Sequence, residues 1–339
     1  MSKTLTAALA LGAPFLLCVP GAMAQEASRF TWEGELEIGN DSVVDSNTPG
    51  NEISDTYATG EVNAAYALTD SVAIFGGLTW ESMTGATDDR AFGDMGLYIH
   101  ELGLQFDTGV AAFQVGKVHP VFGTAWDAAA GFYASSLAED YELAEQIGVL
   151  AEVDLGDAGV LAMGVFYADD TVLSESAGFN RGRNSSAAGG AGNTGKLNNV
   201  ALQWGKEWDA TFAYAGVRFL SASTGDVSDE TGFVAGLGHA FDGGLDVFAE
   251  VAAFDGYGGT TDNATYATLN AAYAIGNLTL SGTYGYRDVD SAGSTDLISI
   301  GADFELANGM TIGGAVAKVD DAGTEDTLLG VNLVIPLGG

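Results

Sequence analysis

Basic residues are scarce in this chain. Eleven Lys and Arg stand against 46 Asp and Glu, a formal charge of −35 at neutral pH. So acidic a chain repels polyanions, which argues against nucleic acid as a partner. Cysteine is scarcer still. The one thiol, Cys18, lies in an N-terminal apolar segment, so the rest of the chain has no disulfide framework, thiolate metal site or cysteine nucleophile. Histidine occurs only at His100, His119 and His239, with no serine at a recognisable motif spacing. A serine–histidine site assembled from distant strands is the weaker reading, and neither enzyme activity nor a cofactor is expected. The acidic pairs Asp88-Asp89 and Asp320-Asp321 lack the spacing of a twelve-residue calcium loop, so no metal site is expected. After the N-terminal segment, no apolar run is long enough for a transmembrane helix. The one membrane architecture left open is a closed barrel, in which strands satisfy each other's backbone groups.

The N-terminal segment has the marks of a secretory signal. Lys3 is a short positive region, Leu5 to Val19 is apolar, and Ala22-Met23-Ala24 is a small-x-small cleavage site. Residues 1–24 are therefore expected to be removed, leaving 25–339 as one domain. Leu17 before Cys18 is a poor lipobox. Cleavage removes Lys3 and no acid, so the net charge moves from −35 to about −36.

What is present is a beat of about sixteen segments, each of roughly ten residues, alternating apolar and polar side chains. In the first, Phe30, Trp32, Leu36 and Ile38 share one face, and Thr31, Glu33, Glu35 and Glu37 the other. Near the end, Ile298, Ile300, Ala302, Phe304 and Leu306 oppose Ser299, Asp303 and Glu305. Short turns are predicted at 67–71, 106–110, 154–159, 205–210, 241–245, 274–278 and 306–310. Longer joints are predicted at 41–54, 84–93, 120–143, 169–196, 221–230, 255–262, 288–295 and 319–326. Short and long alternate, which places both termini at the short-turn end, expected to be periplasmic. Aromatics such as Trp32, Tyr66, Trp80, Phe106, Trp204, Phe219, Tyr273 and Tyr286 fall near segment ends, as interfacial girdles require. The fold class expected is all-β, an antiparallel transmembrane barrel of about 16 strands. The Gly- and Ser-rich stretch 184–195 is expected to be a mobile loop tip.

The third long joint has an unusual composition. A solvated loop holds Ser, Gly and Asn, but this one holds Phe122, Trp126, Asp127, Phe132, Tyr133, Glu139, Asp140, Tyr141, Glu142 and Glu145. Such a segment needs a surface to pack on, and the barrel interior offers one. It is expected to fold inward and narrow the lumen, with Trp126, Phe132 and Tyr133 on the wall and Asp127, Glu139, Asp140 and Glu142 nearer the solute path.

The run Gly116-Lys117-Val118-His119-Pro120-Val121-Phe122-Gly123-Thr124-Ala125-Trp126-Asp127, followed by Glu139-Asp140-Tyr141-Glu142-Leu143, resembles a segment of Gram-negative outer-membrane porins. It is most similar to the set that includes phosphate-selective porins and their uncharacterised relatives. The local resemblance covers about thirty residues, and the strand layout extends it along the mature chain. It implies a homotrimer and a third loop folded into the pore. The second long joint, 84–93, is a candidate for reaching a neighbouring subunit. Two departures stand out. A phosphate-selective pore uses a ladder of basic residues, and this chain has no such ladder. Many such barrels end in an aromatic residue, whereas this chain ends Leu337-Gly338-Gly339.

By parity Glu33, Glu35, Glu37, Glu61, Glu101, Glu152, Asp246, Glu250, Asp303 and Glu305 face inward, with Arg218 and Arg287 against them and Lys117 near the loop. His100 takes outward parity beside Leu102. Acidic rings favour cations. The expected function is a water-filled, cation-preferring channel for small hydrophilic solutes in the outer membrane, with lipid around it. A plugged structural or adhesive barrel and a secreted calcium-binding β-solenoid are the alternatives.

Overall fold

The computed structural model describes residues 28–338, and the predicted signal peptide lies outside the described residues. Sixteen strands form one antiparallel sheet. They are β1 (Phe30–Ser46), β2 (Ser54–Thr69), β3 (Val72–Ser82), β4 (Met95–Asp107), β5 (Ala111–Val118), β6 (Gln146–Asp154), β7 (Val160–Ala168) and β8 (Asn199–Trp208), followed by β9 (Thr211–Leu220), β10 (Glu230–Phe241), β11 (Leu245–Asp255), β12 (Asn263–Ile275), β13 (Leu278–Val289), β14 (Gly293–Glu305), β15 (Thr311–Asp321) and β16 (Thr324–Gly338). Each pairs with the next. β1 also pairs with β16, from Glu33 opposite Gly338 to Ser46 opposite Asp326, so the sheet closes on itself and no edge remains. Closure sets the β-solenoid reading aside.

The outer surface follows the period-two pattern. Ile298, Ile300 and Phe304 stand exposed on β14, and Phe233 and Leu237 on β10. In water such an apolar belt would be unfavourable; in hydrocarbon it is the matched surface. Aromatics flank the belt. Phe30 faces Tyr66 and Phe106 faces Phe113 near the short-turn end, while Trp80 and Phe219 lie toward the other.

All seven predicted short turns are found. Gly276 with φ 65 and Asn277 close the β12–β13 hairpin in two residues, using the left-handed conformation such turns need. Two of the predicted long joints are corrected. Strands β13 to β16 extend through 288–295 and 319–326, leaving turns of three residues (290–292) and two (322–323). Ala322 and Gly323 take φ 50 and 93, a left-handed pair whose Ala-Gly sequence gives little turn signal. The 41–54 joint likewise shortens to 47–53, because β1 runs to Ser46.

Two long loops mend the barrel wall. Beyond the end of β3, Arg90–Ala91 pairs in parallel with Asp55–Thr56 of β2, and Arg90 forks onto Asp55 at 2.8 and 2.7 Å. The loop expected to reach a neighbour therefore lies on its own barrel. Beyond the end of β5, Ala177–Gly178 pairs with Gly96–Leu97 of β4. The stretch expected to be a mobile tip, 184–195, is corrected to a fastened one. Asn193 donates to Ser185 O at 2.8 Å and Gly189 O at 3.1 Å, and Gly190 N donates to Asp226 at 3.0 Å.

Candidate functional site

The third long loop, 119–145, leaves β5 and turns into the barrel. Its first anchor is Glu250 on β11. The Glu250 carboxylate accepts from Thr124 N at 2.7 Å, Ala125 N at 3.3 Å and the hydroxyls of Tyr141 and Tyr214. The residue is 1% exposed. Burying a carboxylate is tolerable because four donors replace its water. Gly123 precedes this contact with φ +74, and a Cβ there would stand 3.0 Å from Glu250 Oε2. A side chain is excluded twice, by backbone conformation and by space.

Around this point Phe122, Tyr141, Phe254 and Tyr266 form an aromatic cluster, with Tyr141 and Tyr266 edge to face at 5.0 Å. The Arg218 guanidinium lies 4.7 Å from the Phe122 ring centre and 4.6 Å from that of Phe254. It donates to Tyr141 O at 2.6 Å and pairs with Glu230 at 2.7 Å. Farther along, Asn270 on β12 clamps Ala130, accepting from its N–H at 3.1 Å and donating to its carbonyl at 2.8 Å. The tip reaches β1 and β16. Tyr133 donates to Asp41 at 2.6 Å, and Phe132 fills the space over Gly330, where a Cβ would lie 2.3 Å from its ring.

The loop is thus an arc along the inner faces of β8 to β16, ending at β1. It leaves much of the inner faces of β2, β3 and β4 open, touching them where Phe132 stands beside Tyr57 of β2 and where His119 bonds the His100 carbonyl of β4 at 3.1 Å. Between them and the loop lies a cavity of about 400 Å³. Thr59, Glu61, Asn63, Thr79, Glu81, Tyr98, His100 and Glu101 line it from the wall, and Trp126, Asp127, Glu142 and Glu145 from the loop. Both sides are acidic.

The inward acidic set is distributed unevenly. Glu35 pairs in register with Glu61, and Glu33 with Asn63. Glu152 lies with Gln105 and Gln114 in a small side pocket. Glu250 and Arg218 face inward but are covered by the loop, so they are corrected from lumen-lining to buried anchors. Arg287 holds Asp140 at 3.0 Å and Asp321 at 3.2 Å. Asp140 is therefore tied to the wall rather than turned to the cavity, and Glu139 accepts from Ser135 at 2.6 Å. Of the loop residues expected near a solute path, Asp127 and Glu142 line the cavity.

The outward assignment of His100 is also corrected. A β-bulge in β4 leaves His100 without a partner between Glu101, opposite Gly77, and Ile99, opposite Leu78. The extra residue shifts the alternation, so His100 and Glu101 both point inward. His100 bonds Thr79 at 2.8 Å and Asn63 at 2.9 Å. Sequence reasoning also missed the base of the loop. Lys117, with its side chain fully buried, holds Glu145 at 2.6 Å and Asp169 at 2.9 Å. Arg181 reaches over the Tyr98 ring and donates to Glu145 at 2.8 Å. Both nearby fixed cations are thus engaged by Glu145.

Burial, with Glu139, Asp127 and Glu61 nearby, pushes the Glu142 carboxyl up to about 7. Burial moves His119 the other way, below the usual imidazole range, which favours its neutral form.

No protein-family model and no curated protein matches this chain. Solved structures do. A mutant of the Rhodobacter blastica porin is 16% identical, with TM-score 0.62 over 91% of this chain and 100% of that one. The outer membrane channel DcaP of Acinetobacter baumannii is 13% identical, with TM-score 0.66 over 93% and 99%. OprB of Pseudomonas putida is 11% identical, with TM-score 0.65 over 91% and 94%. The chain has the fold of outer-membrane porins, one closed barrel of sixteen antiparallel strands.

Proposed function

We propose that this protein is an outer-membrane porin that passes small hydrophilic solutes by passive diffusion and favours cations. The observation that supports this most is the asymmetric lumen. The inward loop is fastened to one wall, and the space left beside it is bordered by Glu61, Glu81 and Glu101 on the barrel and Asp127 and Glu142 on the loop. A sixteen-strand barrel is wide enough for water, and fixed acidic groups around a narrow passage make its potential negative. The constriction in this reading comprises Trp126, Asp127 and Glu142, with Phe132, Tyr133, Glu139 and Asp140 holding the loop in place. Residues 1–24 would direct export.

The test is a reversal potential across a planar bilayer in a KCl gradient. K⁺ should be preferred over Cl⁻, more strongly at 0.1 M than at 1 M salt, where the Debye length falls from about 10 Å to about 3 Å. The preference should weaken between pH 8 and pH 6. A carboxyl group with a raised pKa is charged above it and neutral below, so Glu142 loses its charge in that interval. Glu142→Gln should make this pH step smaller. An anion-selective channel would overturn the cation reading, and a barrel that never conducts would return the plugged alternative.

We also infer a homotrimer. The loop 83–94 folds onto its own β2, so contact between subunits would fall to the apolar barrel wall. Detergent-extracted, unboiled protein should migrate far above the mass of one chain. Migration as a single chain under all mild conditions would remove the trimer.

A further inference from the structure

We infer that the small side pocket on the short-turn side of the third loop's root is a subsite for short primary carboxamides, whose N–H groups meet Gln114 and Glu152 and whose carbonyl meets Gln105. The inference rests on the diffusion-channel reading and names a class of neutral solute.

Gln114 carries it. The residue is 7% exposed, and its Oε1 is buried with no hydrogen-bond partner among the described residues. A buried amide oxygen without a donor is unusual, because taking it from water has to be offset by something. Gln114 lines a cavity of about 40 Å³. That is room for about three waters, or for a solute of similar bulk. Strand register sets the polar groups around it. Gln114 on β5 stands directly opposite Gln105 on β4 and Leu150 on β6. Glu152 lies two residues farther along β6, opposite Ala112 and Ala162. Direct cross-strand neighbours are about 5 Å apart at Cβ and diagonal ones about 7–8 Å. Three polar side chains at that spacing can reach one amide group placed between them.

The polar set selects the ligand. It holds two side-chain amides, each with a donor end and an acceptor end, and one carboxylate, which only accepts. A primary carboxamide has two N–H donors and a carbonyl acceptor, so it pairs with all three. Turning either glutamine amide by half a turn exchanges its ends, and a carboxamide still matches, because it supplies both. Its short alkyl group would lie against Leu150 and Val121, which line the same pocket. Glu152 is the one acidic side chain lining it. A carboxylate solute would meet that charge, a ketone would leave Gln114 Oε1 unpaired, and an alkylammonium ion has no acceptor for Gln105.

The experiment is saturation-transfer NMR on the detergent-solubilised barrel, following the methyl signal of acetamide as it is titrated in. Acetone, acetate and ethylammonium are the controls, similar in size but each lacking part of the donor and acceptor set. Acetamide should saturate at concentrations about tenfold below any control, the worth of one hydrogen bond. Gln114→Leu should weaken its binding about tenfold. Ala162→Leu should remove binding by filling the pocket with all three polar groups in place. Asp320→Asn at an outer turn should leave it unchanged. Variants are compared as barrels of wild-type gel mobility and heat resistance. If a control binds as tightly as acetamide, or if neither Gln114→Leu nor Ala162→Leu changes the binding, the subsite is wrong. Ion current through the same preparation tests the channel reading separately. Absence of current overturns that reading, whereas a conducting channel on which acetamide never saturates overturns the subsite alone.

Discussion

Deleting residues 128–138 should raise single-channel conductance severalfold. The segment holds Phe132, Tyr133 and Leu137, which carry the loop across the lumen to β14, β15 and β16. Its loss would uncover those inner faces to water. The flanks should stay docked, because Thr124 and Tyr141 are held by Glu250 and Arg218 from the wall. The barrel itself should survive, since its closing ladder between β1 and β16 does not depend on the loop. Conductance equal to the wild type, in a barrel of the same gel mobility and heat resistance, would show that the loop does not limit the current.

Glu250→Ala should have the larger effect on loop order. It strands two tyrosine hydroxyls and two backbone N–H groups in a site that excludes water. Each buried donor left without an acceptor costs about 1–3 kcal/mol, enough in sum to release the first turn of the loop from β11. The expected outcome is a noisy channel with a higher mean conductance, and new protease cleavage between 122 and 143 in the otherwise intact barrel. Glu250→Gln should fall between, because an amide keeps one acceptor oxygen but turns a donor toward the tyrosines. Quiet currents and an uncleaved loop in Glu250→Ala would show that the aromatic cluster alone is sufficient to hold it.

Much of the barrel was legible because a strand exposed to different media on its two faces must alternate. Ile298, Ile300 and Phe304 could be placed outward from parity alone, and the seven short turns from their glycines, asparagines and aspartates. The inward course of the third loop was also legible, since Phe122, Phe132, Tyr133 and Tyr141 are poorly suited to water. Parity failed at one bulge. An extra residue in β4 cannot be seen without its partner strand, and it moved His100 from the lipid side to the lumen. Length failed at the β13–β14 and β15–β16 turns, because polar residues at a barrel rim are equally compatible with a loop or a longer strand.

The closed sheet, its strand number and the residue types that meet hydrocarbon were all readable in the order of residues, because they follow from local periodicity and from the need to pair every backbone group. Which inward charges serve as anchors and which border open space was settled by packing in three dimensions. Glu250 and Glu101 have the same parity and chemistry. One lies under the loop with four donors, and the other lies beside the cavity with none among the described residues. That difference depends on where a loop more than a hundred residues away from Glu250 comes to rest, a long-range packing outcome that no local pattern encodes.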